Sequence, residues 1–465
     1  MSLKEITTAC NGVYHGVDSL QVQTVSGVAI DSRKIQDGFL FVPIKGERVD
    51  GHDFIPPVMT SGALCTLSEH SIANATFPYI LVESCEQALQ DIAEHYRTVL
   101  GIPVVGITGS VGKTSTKEMI ASVLSTKYNV LKTEGNYNNE IGVPLTIFNL
   151  TDEHEIAVLE MGINHFGEMT RLSKIARPDY AVITNIGQCH LEYLNDRDGV
   201  LKAKTEIFEY MNPKGTVILN GEDDKLTRIS AIDDEVPHFF GLSEECDVYA
   251  TDIENLGLQG TRCTIHLTED RFFTCVISIP GEHMVLNALA GASIGLELDL
   301  TNEEIKRGIE ALVPVSGRNN IISTDTYTLI DDCYNANPVS MKASLDVLAT
   351  ATTRKVAILG DMGELGDNEI QMHSDVGQYS AQKNIDVICC IGTLCKHMQQ
   401  AAEQTITEYN LLHEDSPLTS TIYHFPDLDT FLNQQENILQ KGDSILIKAS
   451  HFMEFDRIVT TLKTI

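Results

Sequence analysis

Short apolar runs alternate with longer amphipathic ones along most of this chain, and the two periods predict strands and helices in turn. From 1 to about 98, the runs VSGVAID, GFLFVPI and PYILVE predict short strands. Helical spacing lies between them from Asp53 to Ser61, and again from Cys85 to Leu100, ending at Gly101 and Pro103. From 99 to about 315, apolar strands at Val104–Thr108, Asn129–Lys132, Ile156–Glu160, Tyr180–Thr184 and Thr216–Asn220 alternate with helix-patterned segments. That alternation predicts a mainly parallel sheet with helices on both faces. Past about 235 the pattern changes to CTIHL and FFTCVISI, a small antiparallel addition, then to a helical hairpin from His283 to Leu312. A turn at Val313–Gly317 opens the last part. There YTLIDD, KVAILGD, DVICCIG, TIYHF and SILIKAS read as strands, with helices at Ser340–Thr350 and Glu369–Lys383 between them. The expected class is α/β in three domains, 1–98, 99–315 and 316–465, the last an open Rossmann-like sheet.

Composition narrows the partners. The 465 residues carry 33 basic and 65 acidic side chains, a formal net charge of −32. Such a surface argues against nucleic acid or an anionic membrane as the main partner. A nucleotide site here must concentrate cations locally against the overall field. The eleven cysteines are scattered, form no C-x-x-C, and fall largely in apolar runs. They read as reduced thiols of a cytoplasmic protein. No apolar stretch approaches the ~20 residues that span a bilayer, so no membrane insertion is expected.

The chemistry concentrates in GITGSVGKTSTKEMIASVL, residues 106–124. A buried strand, a glycine-rich turn, Lys-Thr and a helix make a phosphate cradle. Glycines let backbone N–H groups approach phosphate oxygens, and the helix N-terminus adds partial positive charge. Lys113 can reach terminal phosphates and the Thr114 hydroxyl can hold Mg²⁺. The strict motif G-x-x-x-x-G-K-[ST] needs glycine at 107, where Ile107 stands; the glycines are Gly106, Gly109 and Gly112.

Other candidates sit at strand ends. Glu160 closes IAVLE, as a Mg²⁺ ligand or as a capping carboxylate. His190 follows the strand in AVITNIGQCH, where open α/β sheets place ligands. Lys204 and Glu206 lie on the helix after it. Asn136, Asn138 and Asn139 suit either an extended polar substrate or turn chemistry. Arg318 offers bidentate phosphate contact. Asp331, Asp332, Asn335 and Asn337 follow a strand directly, and Lys448 ends the last one.

Taken in order, TGSVGKTSTKEM, GNYNNEIGVPLT, LEMGINHFGEM, TNIGQCHLEYL with AKTEIF, GEHMVLNALA, SGR and DDCYNANP resemble the Mur ligases, ATP-dependent amide-bond ligases of peptidoglycan precursor synthesis. The likeness covers nearly the whole chain, and the unusual glycine spacing is that family's. AIDSRKIQDGFLFVPIKGERVDGHDF, DDCYNANPVSM and LGDMGELG are most similar to the branch that joins D-alanyl-D-alanine to UDP-N-acetylmuramoyl-tripeptide. The resemblance implies ATP and two Mg²⁺ ions. It assigns Gly109, Ser110, Gly112, Lys113, Thr114 and Ser115 to the phosphates, His283 and Asn287 to the adenine side, Arg318 to phosphate and Asp332 to the ribose. Thr114 and Glu160 would hold one metal and His190 would help hold the second. Lys204 would join them as a carbamate. Asp31, Ser32, Arg33, Gly46, Asp50, Gly51, His52 and Phe54 resemble a uridine-nucleotide segment. Asn335 and Asn337 would face the reacting centre or the dipeptide, with Lys448 beside them. Met284 and Ala449 depart from the common Asn and Gly of the family. A monomer is expected. A sister ligase adding a single amino acid and a non-catalytic nucleotide-binding protein are the rival readings.

Overall fold

The computed structural model describes residues 1–46 and 48–464, so Glu47 of the GERVDGHDF segment lies outside the described residues. The chain forms two compact units. One contains 1–108, 128–182 and 203–217; the other contains 109–127, 183–202 and the chain from 218 onward.

The first unit opens with a helix, Leu3–Ala9, started by a reciprocal capping box between Ser2 and Glu5. A five-stranded sheet follows in the order Val13–His15, Tyr79–Leu81, Cys65–Ser68, Phe39–Phe41, Gly27–Ala29. Its first pair is antiparallel and the rest are parallel. Helix Cys85–Leu100 begins at the Ser84 cap and stops at Gly101, whose φ of 64° suits glycine. Leu89 and Ile92 of that helix pack with Leu40, Leu67 and Ile80 of the sheet. Beyond it, Val104–Thr108 pairs in parallel with Ile156–Glu160, which pairs in parallel with Val130–Lys132. The two longer strands are buried at every position, as a sheet covered on both faces requires. Glu160 therefore ends a dry strand.

In the second unit, helix Lys113–Leu124 lies against helix Glu282–Glu297. Gly291 and Gly295 let them meet closely: a Cβ at Gly291 would lie 3.1 Å from Met119. Thr216–Asn220, which begins in the first unit, continues here beside parallel His238–Gly241 and Val248–Asn255. The antiparallel strands Thr261–Thr268 and Arg271–Ile277 complete this run. The expected hairpin appears as Glu282–Glu297 and Asn302–Glu310, the second started by a Thr301–Glu304 capping box.

The last sheet has the order Asn320–Ser323, Thr328–Asp331, Ser444–Lys448, Lys355–Gly360, Val387–Ile391, Thr421–Phe425. Only the first pair is antiparallel. Alternate residues serve two cores. Leu329, Val356, Ile358, Ile445 and Ile447 share one with Phe455. Ile330, Ala357, Leu359 and Leu446 share the other with Met341. All eleven cysteines are free thiols, buried except for the half-buried Cys189 and Cys246. Among the described residues no helix is long and apolar enough to cross a membrane.

Candidate active site

The phosphate loop is fastened from behind before any ligand is considered. Gly112, at φ 83°, caps helix Lys113–Leu124, so the first N–H groups of that helix point out of its end without intrahelical acceptors. The segment after Tyr180–Ile183 grips the loop. Ser110 N donates to Asn185 O at 3.0 Å. Val111 N donates to Asn185 Oδ1 at 3.0 Å, and Val111 O accepts from Thr184 Oγ1 at 2.6 Å and Asn185 Nδ2 at 3.0 Å. A Cβ at Gly109 would lie 1.9 Å from Thr184 Oγ1. Only glycine lets the loop sit this close. Asn220 Nδ2 holds Thr184 O at 2.8 Å and Asp223 holds Ile186 N at 2.7 Å, so the grip is itself braced. Lys113 Nζ folds over the loop onto Gly109 O at 2.8 Å. The cradle fits an anion: a glycine-rich backbone, an open helix N-terminus and one ammonium. Thr114 is buried and Ser115 half-buried in the first turn of that helix.

Around this loop, Thr116 Oγ1 donates to Asn287 Oδ1 at 2.8 Å, while Asn287 Nδ2 donates to Met284 Sδ at 3.2 Å. Asn287 thus spends its amide on the phosphate helix, and Met284 serves it with a sulfur acceptor. His283 is exposed. His190 takes a left-handed backbone, φ 51°, at the start of Leu191–Leu194. Its Nδ1 lies 3.4 Å from Glu364 Oε2.

The C-terminal edge of the last sheet is held by side chains instead. Asp331 accepts from Gly317 N at 2.9 Å. Asp332 takes the Lys448 ammonium at 2.6 Å, the Ser344 hydroxyl at 2.5 Å and Asn319 N at 3.0 Å. Lys448 is only 2% exposed and also donates to Asn335 O at 3.1 Å. The guanidinium carbon of Arg318 stacks 4.1 Å from the centre of the Tyr334 ring. Asn335 is exposed, with Oδ1 turned back to Ala336 N. Asn337 caps helix Pro338–Ala349 in a box with Ser340, so its amide is committed to the helix start. Ala449 is fully buried and its methyl faces Gly360, whose own Cβ would clash there at 2.6 Å. The departure from Gly at 449 is thus matched by a Gly opposite.

The first unit holds the remaining candidates. Buried Glu160 accepts from Asn138 Nδ2 at 2.8 Å, and its N–H donates to Thr133 Oγ1. A buried carboxylate in this setting suits a hard divalent cation. Asn139 accepts from Ile141 and Gly142 N–H groups, which is the turn chemistry of the two readings its sequence allowed. Asn136 is exposed. Lys204, 1% exposed, lies on helix Arg197–Thr205, and Glu206 accepts from Gly167 N. Asp31 forms a surface ion pair with Arg33, whose hydrogen bonds hold the Asp31 carboxyl down at about 2. Ser32 stands between them, half-buried. His52 is inside: Nδ1 meets Asp50 at 2.7 Å and Nε2 accepts from Glu69 N at 3.2 Å. Its ring orders the segment that carries Asp50 rather than projecting to solvent. Gly46 N bonds Val49 O, closing the turn before it.

Residue types alone missed Thr184, Asn185, Tyr334 and Glu364. Thr184 and Asn185 were signalled by polar residues breaking off a buried strand in AVITN. Nothing local marks the other two.

Known proteins bear on this geometry as follows. The model of the Mur ligase family catalytic domain matches residues 24–97, that of the Mur ligase middle domain 107–295, and that of the Mur ligase glutamate ligase domain 317–451. The UDP-N-acetylmuramoyl-tripeptide–D-alanyl-D-alanine ligase of Bacillus subtilis is 37% identical over 443 residues, 94% of this chain and 93% of that protein. A crystal structure of MurF from Acinetobacter baumannii matches with a TM-score of 0.88 at 32% identity, covering 100% of this chain and 99% of that one. MurF ligase from Thermotoga maritima, in complex with ADP, matches with a TM-score of 0.82 at 28% identity over 94% and 97%. The fold is thus a three-domain α/β one.

Proposed function

This chain belongs to the Mur ligase family, and on that premise we propose that it joins D-alanyl-D-alanine to UDP-N-acetylmuramoyl-tripeptide at the expense of ATP. The reaction serves peptidoglycan precursor synthesis, and through it cell shape and division, in the cytoplasm. The observation that carries the reading is the braced phosphate loop, set in a chain whose likeness to such ligases runs end to end. The domain limits 1–98, 99–315 and 316–465 belong to the same reading, and each encloses one matched segment.

A carboxylate is a poor acyl donor. Transfer of the γ-phosphoryl group to the tripeptide carboxylate makes an acyl phosphate and releases ADP. The dipeptide amine then attacks that carbonyl, loses a proton, and phosphate departs. Phosphoryl transfer asks the protein mainly for positioning and charge neutralisation. Lys113 leaves Gly109 O for the terminal phosphates, and the N–H groups opening its helix hold their oxygens. Gly109, Ser110, Gly112 and Ser115 shape that cradle. Arg318, stacked on Tyr334, adds a second cation. Mg²⁺, when bound, would neutralise phosphate charge; Thr114 and Glu160 would hold one ion, His190 would help hold a second, and Lys204 would join them if carbamylated.

Phosphate release is the test, with ATP, Mg²⁺ and UDP-N-acetylmuramoyl-tripeptide, in the presence of D-alanyl-D-alanine, a single amino acid, or no amine. Release that requires the dipeptide, with a product heavier by that dipeptide, is the expected result. Ligation of a single amino acid to a shorter precursor would move the chain to a sister activity. Nucleotide binding without any ligation would overturn the enzyme reading.

A further inference from the structure

The loop 361–365 leaves the C-terminal end of the buried strand Lys355–Gly360, on the edge where open α/β sheets receive ligands. It is pinned at three successive residues. The Asp361 carboxylate accepts from Thr393 N at 3.0 Å and Cys395 N at 2.7 Å, and Asp361 O accepts from Ser450 N at 3.1 Å. Met362 N donates to His373 Nε2 at 2.9 Å, while His373 Nδ1 donates to Glu369 O at 2.7 Å. Gly363 N donates to Ser450 Oγ at 2.9 Å. Asp361, His373 and Cys395 lie close enough together to suggest a metal site. Their ligand atoms are spent, however: two on backbone amides, two on the histidine's bonds, and the thiol on Leu359 O at 3.6 Å. They form a brace.

The brace presents Glu364. Its backbone takes φ 60°, a conformation that costs a side-chain-bearing residue energy and is kept where the surroundings dictate it. Its carboxylate is 76% exposed, and among the described residues its ion-pair partner is His190 at 3.4 Å, longer than a good hydrogen bond. Beside it, the Phe452 ring lies against Gly363, where a Cβ would sit 3.0 Å from it, and is itself 65% exposed. A rigid loop thus offers one loosely held anion next to one apolar face. On the same edge Lys448 and Asp332 neutralise each other internally, and the Arg318 guanidinium is stacked on Tyr334.

We infer that Glu364 binds the ammonium group of the incoming dipeptide, with the exposed face of Phe452 against its methyl groups. This rests on the ligase reading above. The acceptor amine is mostly an ammonium at neutral pH and needs a counter-charge to be oriented. The contact with His190 places that charge beside a residue of the middle domain's site. Glu364 is a substrate-binding residue in this account, and His373 and Ser450 are positioning residues that act through the loop.

The test compares wild type with Glu364→Gln and Glu364→Asp in the full chain, with ATP and UDP-N-acetylmuramoyl-tripeptide saturating and D-alanyl-D-alanine varied. N-acetyl-D-alanyl-D-alanine, which lacks the ammonium, serves as an inhibitor. Glu364→Gln should raise KM for the dipeptide tenfold or more, leave ADP binding unchanged, and erase the wild-type preference for dipeptide over its N-acetyl form. Glu364→Asp should recover part of the loss. An unchanged dipeptide KM, or a preference for the free amine that survives in Glu364→Gln, overturns the inference. So does an equal loss of ADP affinity, which would mean a collapsed loop. A wild type that makes no product with the dipeptide would instead sink the ligase reading, which separates the two failures.

Discussion

The phosphate loop and the C-terminal edge of the last sheet both handle charge, and they hold their residues by opposite means. The loop is made of backbone. Gly109 and Gly112 bring main-chain groups close to Thr184 and Asn185, and a single ammonium, Lys113, folds over it. The edge is made of side chains: the buried Lys448–Asp332 pair, the Asp331 anchor on Gly317, and Arg318 stacked on Tyr334. A backbone site is written in a contiguous stretch and fails when an atom is added. A side-chain site is assembled from distant residues and fails when one is taken away.

Removing an atom from the edge gives the largest expected effect. Asp332→Ala strands the Lys448 ammonium among carbonyls in a dry site, and breaking a buried pair from one side costs about 3–5 kcal/mol. Thermal melting should show it, and adding Lys448→Met should recover part of it because no unpaired charge is left. A variant that melts with the wild type would show that the pair does not hold the edge. Adding an atom to the loop comes next. Gly109→Ala drives a methyl into Thr184 Oγ1 and breaks its bond to Val111 O, an overpacking worth about 1–3 kcal/mol. Denaturant titration should locate that loss, and nucleotide affinity should fall with it. Unimpaired nucleotide binding would mean the close approach is incidental.

The smallest effect is a tilt with pH. Burial pushes His373 below its ordinary 6.5, so the folded chain keeps it neutral. Its contribution is whole above 6.5 and is lost as pH falls towards the folded value, because the unfolded chain takes up a proton that the folded one refuses. The slope is at most ~1.4 kcal/mol per pH unit for one proton. Stability measured from pH 7.5 to 5 should fall more steeply in wild type than in His373→Gln. Parallel curves would remove His373 from the brace.

The same contrast decides what could be read beforehand. Strand, glycines and Gly-Lys-Thr lie within twenty residues, so the loop was legible as chemistry, and the long buried strands around it were legible from their unbroken apolar runs. The edge was not. Lys448 and Asp332 are 116 residues apart, and neither neighbourhood names the other. Asn337 and His52 read as substrate residues from their motifs, while the hydrogen bonds they make to Ser340 and to Asp50 and Glu69 were not legible there. Strand Val13–His15 has too few residues to show a period, and the short strand Asn320–Ser323 starts on the last residue of the polar GRNN run.

Calorimetric titration of ADP into the whole protein, wild type against Lys113→Ala, tests most directly the claim that the braced loop binds nucleotide phosphate. The account predicts saturable binding by wild type and affinity at least about tenfold weaker in Lys113→Ala, as loss of a hydrogen bond to a charged group implies, with melting temperature unchanged. Equal affinity in the two proteins would contradict it.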